Sequence, residues 1–146
     1  MRILHISDFH YQSKNDSDYR TRVENLCNDL VNKGIDMIVF SGDLVFEGGK
    51  LETFKSASKV LFDEILKATG LKKERLVITQ GNHDMERDTE VPSITKDLDS
   101  CMTTKALNDF CNNERSVELS FDNSRHYNEF VDDYYRGIDI HCNKCK

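Results

Sequence analysis

The sequence predicts an α/β fold in which three parallel strands alternate with helices in the order βαβαβ. Short apolar runs with strand character are separated by two stretches whose apolar residues recur at helical spacing. Each apolar run is followed at once by polar side chains that can bind metals or move protons. Units joined in this order form right-handed crossovers and a parallel sheet. We therefore expect flanking helices, and a functional site beyond the carboxyl ends of the strands.

The three predicted strands lie in the first half of the chain. They cover residues 2–8, 35–40 and 76–79. Leu76 to Ile78 are apolar at consecutive positions, which is typical of a strand covered on both faces. The polar clusters that follow these runs would then lie along one edge of the sheet.

Two amphipathic helices are predicted between the strands. A polar loop over residues 12–18 precedes the first helix, and Gly34 stands where a helix is expected to stop. The second helix is predicted to end at Gly70. The stripe of the first helix consists of Val23, Leu26, Cys27, Leu30 and Val31. The stripe of the second consists of Leu51, Phe54, Ala57, Leu61, Ile65 and Ala68.

The pattern weakens after Met85. Residues 86–93, with the single proline Pro92, predict an exposed loop, and a helical extension is expected over 95–136. The remaining expectations are helices at Leu98–Phe110 and Tyr127–Tyr135, a short strand or helix end at 116–121, and a strand-like segment from Ile138.

Composition limits the class of protein. A chain of 146 residues fits a single domain, and 38% hydrophobic with 32% charged residues describes a soluble globular protein. No apolar run reaches the length of a membrane span, and the chain opens on a strand pattern without a signal region, so a cytoplasmic location is expected. The five cysteines favour free thiols, and the net charge of −6 argues against broad attraction to nucleic acid.

The polar clusters at the strand ends have the chemistry of a metal site. Asp8 and His10 are two positions apart and would point to the same face of a strand. Asp43 follows a glycine, which allows close approach of the backbone. Mixed oxygen and imidazole ligands suit manganese, iron or zinc better than calcium. The third cluster consists of Asn82, His83 and Asp84.

Each cluster alone also has a structural explanation, because Asp and Gly-Asp pairs are common in turns and helix caps. A single histidine after a strand is more often a surface residue than a ligand. Three consecutive strands that all end in ligand chemistry favour the metal site.

The motifs Asp8-x-His10, Gly42-Asp43 and Gly81-Asn82-His83-Asp84, in this order and each after a strand, resemble the opening motif series of the calcineurin-like metallophosphoesterases. The resemblance covers residues 1–85. It implies that this region corresponds to the N-terminal half of the family's α/β sandwich. It also implies a hydrolase that cleaves a phosphomonoester or a phosphodiester.

The resemblance further implies a role for each matched residue. Asp8 and His10 would bind the first of two divalent ions, with manganese expected and iron or zinc as alternatives. Asp43 would bridge the two ions, and Asn82 would bind the second. His83 would protonate the leaving group while Asp84 orients its imidazole, and a hydroxide bridging the ions would attack the phosphorus. Two such ions lower the pKa of a shared water and neutralise phosphate oxygens.

The family's later motifs, a single histidine and then Gly-His-x-His, have no counterpart in this chain. Only His126 and His141 remain after His83. A helix-surface or capping position is favoured for His126, and His141 is more often a terminal residue than a strand-end ligand. His141 with Cys142-x-x-Cys145 would offer too few ligands for a structural zinc site, so a solvated terminus is favoured.

Two explanations compete for the missing motifs. The favoured one is that residues 1–146 form one metallophosphoesterase domain that is incomplete at its C-terminus, so that a missing region or a partner chain completes the metal site. The other is a naturally short protein with a damaged site. The alternatives to an enzyme are a non-catalytic binding or scaffolding module with the same fold, and the N-terminal part of a larger multidomain protein.

Overall fold

The computed structural model describes residues 1–86, 103–112 and 122–138. Its centre is a parallel sheet with the strand order β1-β2-β3. The predicted α/β fold is therefore confirmed. The strands are β1 (Ile3–Ile6), β2 (Met37–Phe40) and β3 (Leu76–Ile78).

The helices pack against this sheet largely through the predicted stripes, with Val23, Leu30, Phe54, Ala57, Leu61 and Ile65 buried. Val31 was wrongly placed on the first stripe, since it follows the end of its helix and is 50% exposed. The helix after β2 is continuous but contains a π-helical segment over Lys59–Asp63. Short 3₁₀ turns cover Ser13–Asn15 and Lys73–Arg75. The α-helices are α1 (Asp16–Leu30), α2 (Leu51–Ser58), α3 (Glu64–Thr69), α4 (Thr104–Cys111) and α5 (Arg125–Tyr134).

Helix α1 begins earlier than the sequence predicts, so the predicted loop over residues 12–18 is wrong at its end. Asp16 and Asp18 lie in the first turn, where carboxylates stabilise the positive end of the helix dipole. The Asp16 carboxylate also accepts a 2.6 Å hydrogen bond from the Tyr11 hydroxyl. The helix ends before Gly34, because Asn32 already has the left-handed φ of 61° that stops it.

The end of α3 agrees with the prediction. Gly70 has a left-handed φ of 70°, and the Leu71 N–H donates back to the Leu66 carbonyl at 3.1 Å. These are the features of a glycine that terminates a helix.

The core lies between the sheet and the helices and is rich in aromatic rings. Phe40 of β2 meets Phe62 of the π-helical segment with ring centroids 5.1 Å apart. Helix α5 packs on α2 through the stacked rings of Phe54 and Phe130, 5.5 Å apart. All four rings are buried to 2% exposure or less. Burial of this kind is the main stabilising term for the fold.

The opposite face of the sheet is only partly covered. Ile3 of β1 is 47% exposed and Val77 of β3 is 40% exposed. The expectation that β3 is covered on both faces is therefore wrong for the part of the chain that the structure describes. The reason is topological, because helices that connect neighbouring strands in the order 1-2-3 by right-handed crossovers lie on the same face.

The second half agrees with the sequence where it is described. Helix α5 confirms the predicted helix at Tyr127–Tyr135, and α4 overlaps the one predicted at Leu98–Phe110. The rest of the segment before α4, with Pro92, and the segments at 116–121 and 139–146 lie outside the described residues. No helix in the described ranges is both long and apolar enough to cross a membrane.

Candidate metal centre

The three strands end at the same level, so their following loops start side by side. Ile6 pairs with Phe40 in the register of β1 and β2, and Phe40 pairs with Ile78 in the register of β2 and β3. The polar clusters that follow the three strands therefore begin at one edge of the sheet, as the sequence predicts.

Backbone hydrogen bonds continue the pairing of β1 and β2 into these loops. The Asp8 N–H donates to the Gly42 carbonyl at 3.1 Å, and the His10 N–H donates to the Asp43 carbonyl at 2.9 Å. A parallel bridge between Tyr11 and Val45 closes the run. This pairing places His10 beside Asp43.

Three of the predicted ligands have left-handed backbone conformations. The φ angles are 57° at Asp8, 49° at His10 and 60° at Asp43. Non-glycine residues in this region cost on the order of 1–3 kcal/mol each and persist only where the surroundings impose them. Such conformations cluster at functional sites, and here they occur in the two loops that bring His10 within 4 Å of Asp8 and Asp43.

The distances around His10 suit a shared cation better than direct hydrogen bonds. Its Nε2 lies 3.7 Å from Asp8 Oδ1 and 3.9 Å from Asp43 Oδ2. Metal bonds to these atom types are about 2.0–2.2 Å, so two atoms on one ion lie roughly 3–4 Å apart. His10 Nδ1 is buried and has no hydrogen-bond partner among the described residues. The donor set therefore fits a divalent ion.

His83 lies against the same cluster. His10, Asp43 and His83 each offer a ligand atom, and these atoms lie within 4.8 Å of one another. The two imidazole rings are perpendicular, with centroids 4.6 Å apart. The backbone N–H of His83 donates to Asp43 Oδ1 at 2.8 Å, and the other carboxylate oxygen, Oδ2, faces His10.

The tautomer of His83 follows from its neighbour. His83 Nδ1 lies 3.0 Å from the Phe46 carbonyl oxygen, which can only accept a hydrogen bond. We therefore assign a proton to Nδ1. With the proton on Nδ1, Nε2 is the ring nitrogen whose lone pair can bind a metal or take up a second proton.

Asp84 holds the turn together. Its side chain is fully buried. Oδ2 accepts from the N–H groups of Asp43 (2.8 Å) and Gly81 (2.9 Å), and Oδ1 accepts from Val45 (3.1 Å). Burial raises the pKa of Asp84, while these three hydrogen bonds act in the opposite direction. The sequence predicted that Asp84 orients His83, but the structure gives its carboxylate these backbone partners and gives Nδ1 of His83 the Phe46 carbonyl.

Glycines allow the loops to approach this closely. A Cβ on Gly42 would lie 2.7 Å from Gly81 Cα, and one on Gly81 would lie 2.2 Å from Asp43 Oδ1. A Cβ on Gly48 would lie 2.2 Å from the Asp84 carbonyl oxygen. The motif glycines therefore leave room for the Asp43 carboxylate and the turn beneath it.

Residues just before α5 form hydrogen bonds with residues on either side of the turn at residues 81–84. The Gln80 side-chain amide lies 2.9 Å from the Ser124 hydroxyl, and the Glu86 N–H donates to the Asn123 carbonyl at 2.9 Å. His126 Nδ1 is 3.4 Å from a Glu86 carboxylate oxygen. This nitrogen makes no hydrogen bond among the described residues, and His126 does not belong to the candidate metal-binding cluster found in the described part of the chain.

Of the predicted site residues, His10, Asp43 and His83 form one cluster, and Asp8 lies beside it, 3.7 Å from His10. Asn82 is exposed in the same turn, and its role stays a prediction. His141 lies outside the described residues. Sequence reasoning missed the Phe46 carbonyl, since a main-chain acceptor leaves no trace in residue type. It also missed the close approach of Gly48 to the Asp84 backbone, which the pair of adjacent glycines at 48 and 49 could have indicated.

Comparison with known proteins agrees with this geometry. A family model described as calcineurin-like phosphoesterase matches residues 1–143. The chain belongs to the calcineurin-like phosphoesterase family. The chain is similar to the uncharacterized metallophosphoesterase-like protein YydB of Bacillus subtilis (strain 168), with 24% identity over 152 residues. The match covers 97% of this chain and 30% of YydB, so the chain spans less than a third of that phosphoesterase relative's length.

Replacing Gly81 by alanine is expected to weaken Mn²⁺ binding by at least about tenfold. The new Cβ would lie 2.2 Å from Asp43 Oδ1, so the carboxylate must move away from His10. Isothermal titration with Mn²⁺ measures the effect. Gly49→Ala is the matched control, because its Cβ would meet nothing closer than 3.9 Å. Equal affinities for the two variants would contradict the assignment.

Asp84→Asn is expected to lower the free energy of unfolding by about 1–3 kcal/mol, because an amide nitrogen would replace one acceptor and face a backbone N–H. Urea denaturation measures the loss, and the exposed Asp29→Asn on α1 is expected to stay within about 0.5 kcal/mol of the parent. The variant also removes a buried charge. A net gain in stability would show that the cost of burying this charge exceeds the value of the hydrogen bonds.

Proposed function

We propose that the chain hydrolyses phosphoric esters in a metal-dependent reaction centred on the strand-end cluster. The observation that carries the proposal is the cluster of His10, Asp43 and His83, whose ligand atoms lie within 4.8 Å of one another, with Asp8 Oδ1 3.7 Å from His10 Nε2. Family membership supports a metal-dependent phosphoesterase in general. The left-handed backbone at Asp8, His10 and Asp43 also supports a functional role, because such conformations cluster at active sites.

In the proposed site, Asp8 and His10 would hold one divalent ion, Asn82 would hold a second, and Asp43 would contribute to binding both. Manganese is the proposed metal, because the ligands combine oxygens with an imidazole nitrogen. When bound, the ions supply an activated water and offset the negative charge of the phosphate. Any further ligands would come from other parts of the protein or from a partner chain.

His83 is proposed as the proton donor. Water adds to the phosphorus and releases one proton to solvent, the bond from phosphorus to the leaving oxygen breaks, and that oxygen takes the proton from His83 Nε2, which regains a proton from solvent. The Phe46 carbonyl oxygen, 3.0 Å from Nδ1, accepts a hydrogen bond from Nδ1–H, which keeps that proton on Nδ1 and fixes the ring. The alternative role for His83 is that of a ligand, since its ring also lies against His10 and Asp43.

Mn²⁺ is expected to support hydrolysis of p-nitrophenyl phosphate or bis(p-nitrophenyl) phosphate, and chelation is expected to abolish it. Asp43→Asn is expected to lower kcat/KM by at least about 100-fold, since Asp43 is proposed as a direct and shared ligand. Asp29→Asn is the control and should retain the parent activity. Hydrolysis that survives both chelation and Asp43→Asn, or no hydrolysis of either ester, would contradict the proposal. The second result would favour a non-catalytic module.

His83→Ala is expected to slow hydrolysis by a factor that depends on the leaving group of the ester. Loss of a general acid should slow hydrolysis of an alkyl ester by about 10²–10⁴-fold, and should slow the p-nitrophenyl ester of the same phosphoryl group much less, because p-nitrophenolate leaves without a proton. Rates on the two esters and bound Mn²⁺ are measured together. Retained Mn²⁺ with an equal loss on both esters would exclude the acid role, and loss of Mn²⁺ would assign His83 as a ligand.

A further inference from the structure

A cleft of about 530 Å³ opens beside the candidate metal centre. Phe46 lines the cleft and also belongs to the centre, with its ring centroid 5.6 Å from that of His83 and 6.3 Å from that of His10. Tyr11, the next residue after His10, lines it as well. An ester whose phosphorus lies at the metal centre would therefore place one of its substituents in this cleft.

The wall nearest the centre is an exposed aromatic ring. Phe46 is 41% exposed, although most phenylalanines of the described core are buried. An accessible ring at the edge of a polar site is suited to stack on a flat, aromatic group of a ligand.

Two lysines line the same cleft. Lys14 and Lys50 are exposed, and neither ammonium group forms an ion pair within the ranges that the structure describes. Other described lysines do have partners, such as Lys55, which lies 3.3 Å from an Asp133 carboxylate oxygen. Two ammonium groups that are not engaged in such pairs are suited to a second phosphate on the ligand.

The remaining polar groups of the cleft fit a sugar. Glu47 can accept hydrogen bonds from hydroxyl groups, and Thr53 can donate and accept them. The second carboxylate of the cleft, that of Glu86, lies 3.4 Å from His126. Two carboxylates beside two lysines do not form the continuous positive surface that non-specific binding of a long polyanion requires. This charge pattern therefore favours a small ligand over a long duplex.

We propose that this cleft binds the nucleoside and a second phosphate of a nucleotide phosphodiester, with Phe46 stacking on the base and Lys14 and Lys50 contacting the second phosphate. The inference rests on the proposed function, because it places the scissile phosphate at the strand-end cluster. It goes further by naming the substrate class and the residues that select it.

Three esters with the same p-nitrophenolate leaving group test the proposal in the presence of Mn²⁺. They are methyl p-nitrophenyl phosphate, p-nitrophenyl thymidine 5′-phosphate, and the latter compound with an added 3′-phosphate. We expect kcat/KM to rise by about tenfold from the first to the second through stacking. We expect a further rise of about tenfold with the 3′-phosphate through the lysines. Since the leaving group is constant, the differences report binding in the cleft.

The variants separate the two contacts. Phe46→Leu is expected to lower the preference for the thymidine ester over the methyl ester. Lys14→Gln and Lys50→Gln are each expected to lower the preference for the 3′-phosphorylated ester over the unphosphorylated one. Lys67→Gln is the matched control, because Lys67 lines a different groove, between α1 and α3. It should leave both ratios unchanged.

The outcomes distinguish this inference from the proposed function. Equal kcat/KM values for the three esters, or ratios that the cleft variants leave unchanged, would overturn the cleft assignment and leave the phosphoesterase intact. Hydrolysis of p-nitrophenyl phosphate and a phosphopeptide without hydrolysis of any of the diesters would also overturn the cleft assignment. It would leave the phosphoesterase intact and point to a protein phosphatase. No hydrolysis of any ester would instead refute the proposed function.

Discussion

The structure of the candidate site depends on one buried carboxylate. Asp84 accepts hydrogen bonds from three backbone N–H groups, two of them in the loop after β2 and one in its own turn. A buried charge is tolerated only when it is well hydrogen-bonded, and here the donors belong to the segments that carry Asp43 and His83. Asp84 therefore joins the ends of β2 and β3, and the loop after β1 is positioned through its backbone pairing with the loop after β2.

This arrangement also explains why strained residues can persist. Asp8, His10 and Asp43 have left-handed backbones, and each would relax if its loop were free. Backbone bonds hold the first two against the loop after β2, while the Asp84 carboxylate holds the N–H of Asp43. The cohesion of the loops thus offsets the strain. The result is a set of ligand atoms held apart at distances that suit an ion before any ion binds.

Sequence could predict the site residues whose side chains themselves bind metals or move protons. The apolar runs and helical stripes were sufficient for the parallel sheet, and the motifs were sufficient for the cluster of His10, Asp43 and His83 with Asp8 beside it. The contacts of Asp84 could not be predicted, since a carboxylate next to a histidine suggests a side-chain partner and its actual partners are main-chain amides. The start of α1 was missed because Asp16 and Asp18 are equally common in loops and in first helical turns.

The relation between His83 and Asp43 limits how the site can act. The His83 N–H occupies Oδ1 of Asp43 at 2.8 Å, so one carboxylate oxygen is already committed to positioning the turn, while Oδ2 faces His10 at 3.9 Å. Oδ2 is thus the oxygen best placed to share a cation with His10 Nε2. An oxygen that accepts one N–H keeps a second lone pair, so Oδ1 retains the capacity to accept a further contact. The backbone hydrogen bond from His83 therefore positions the Asp43 carboxylate without exhausting either of its oxygens.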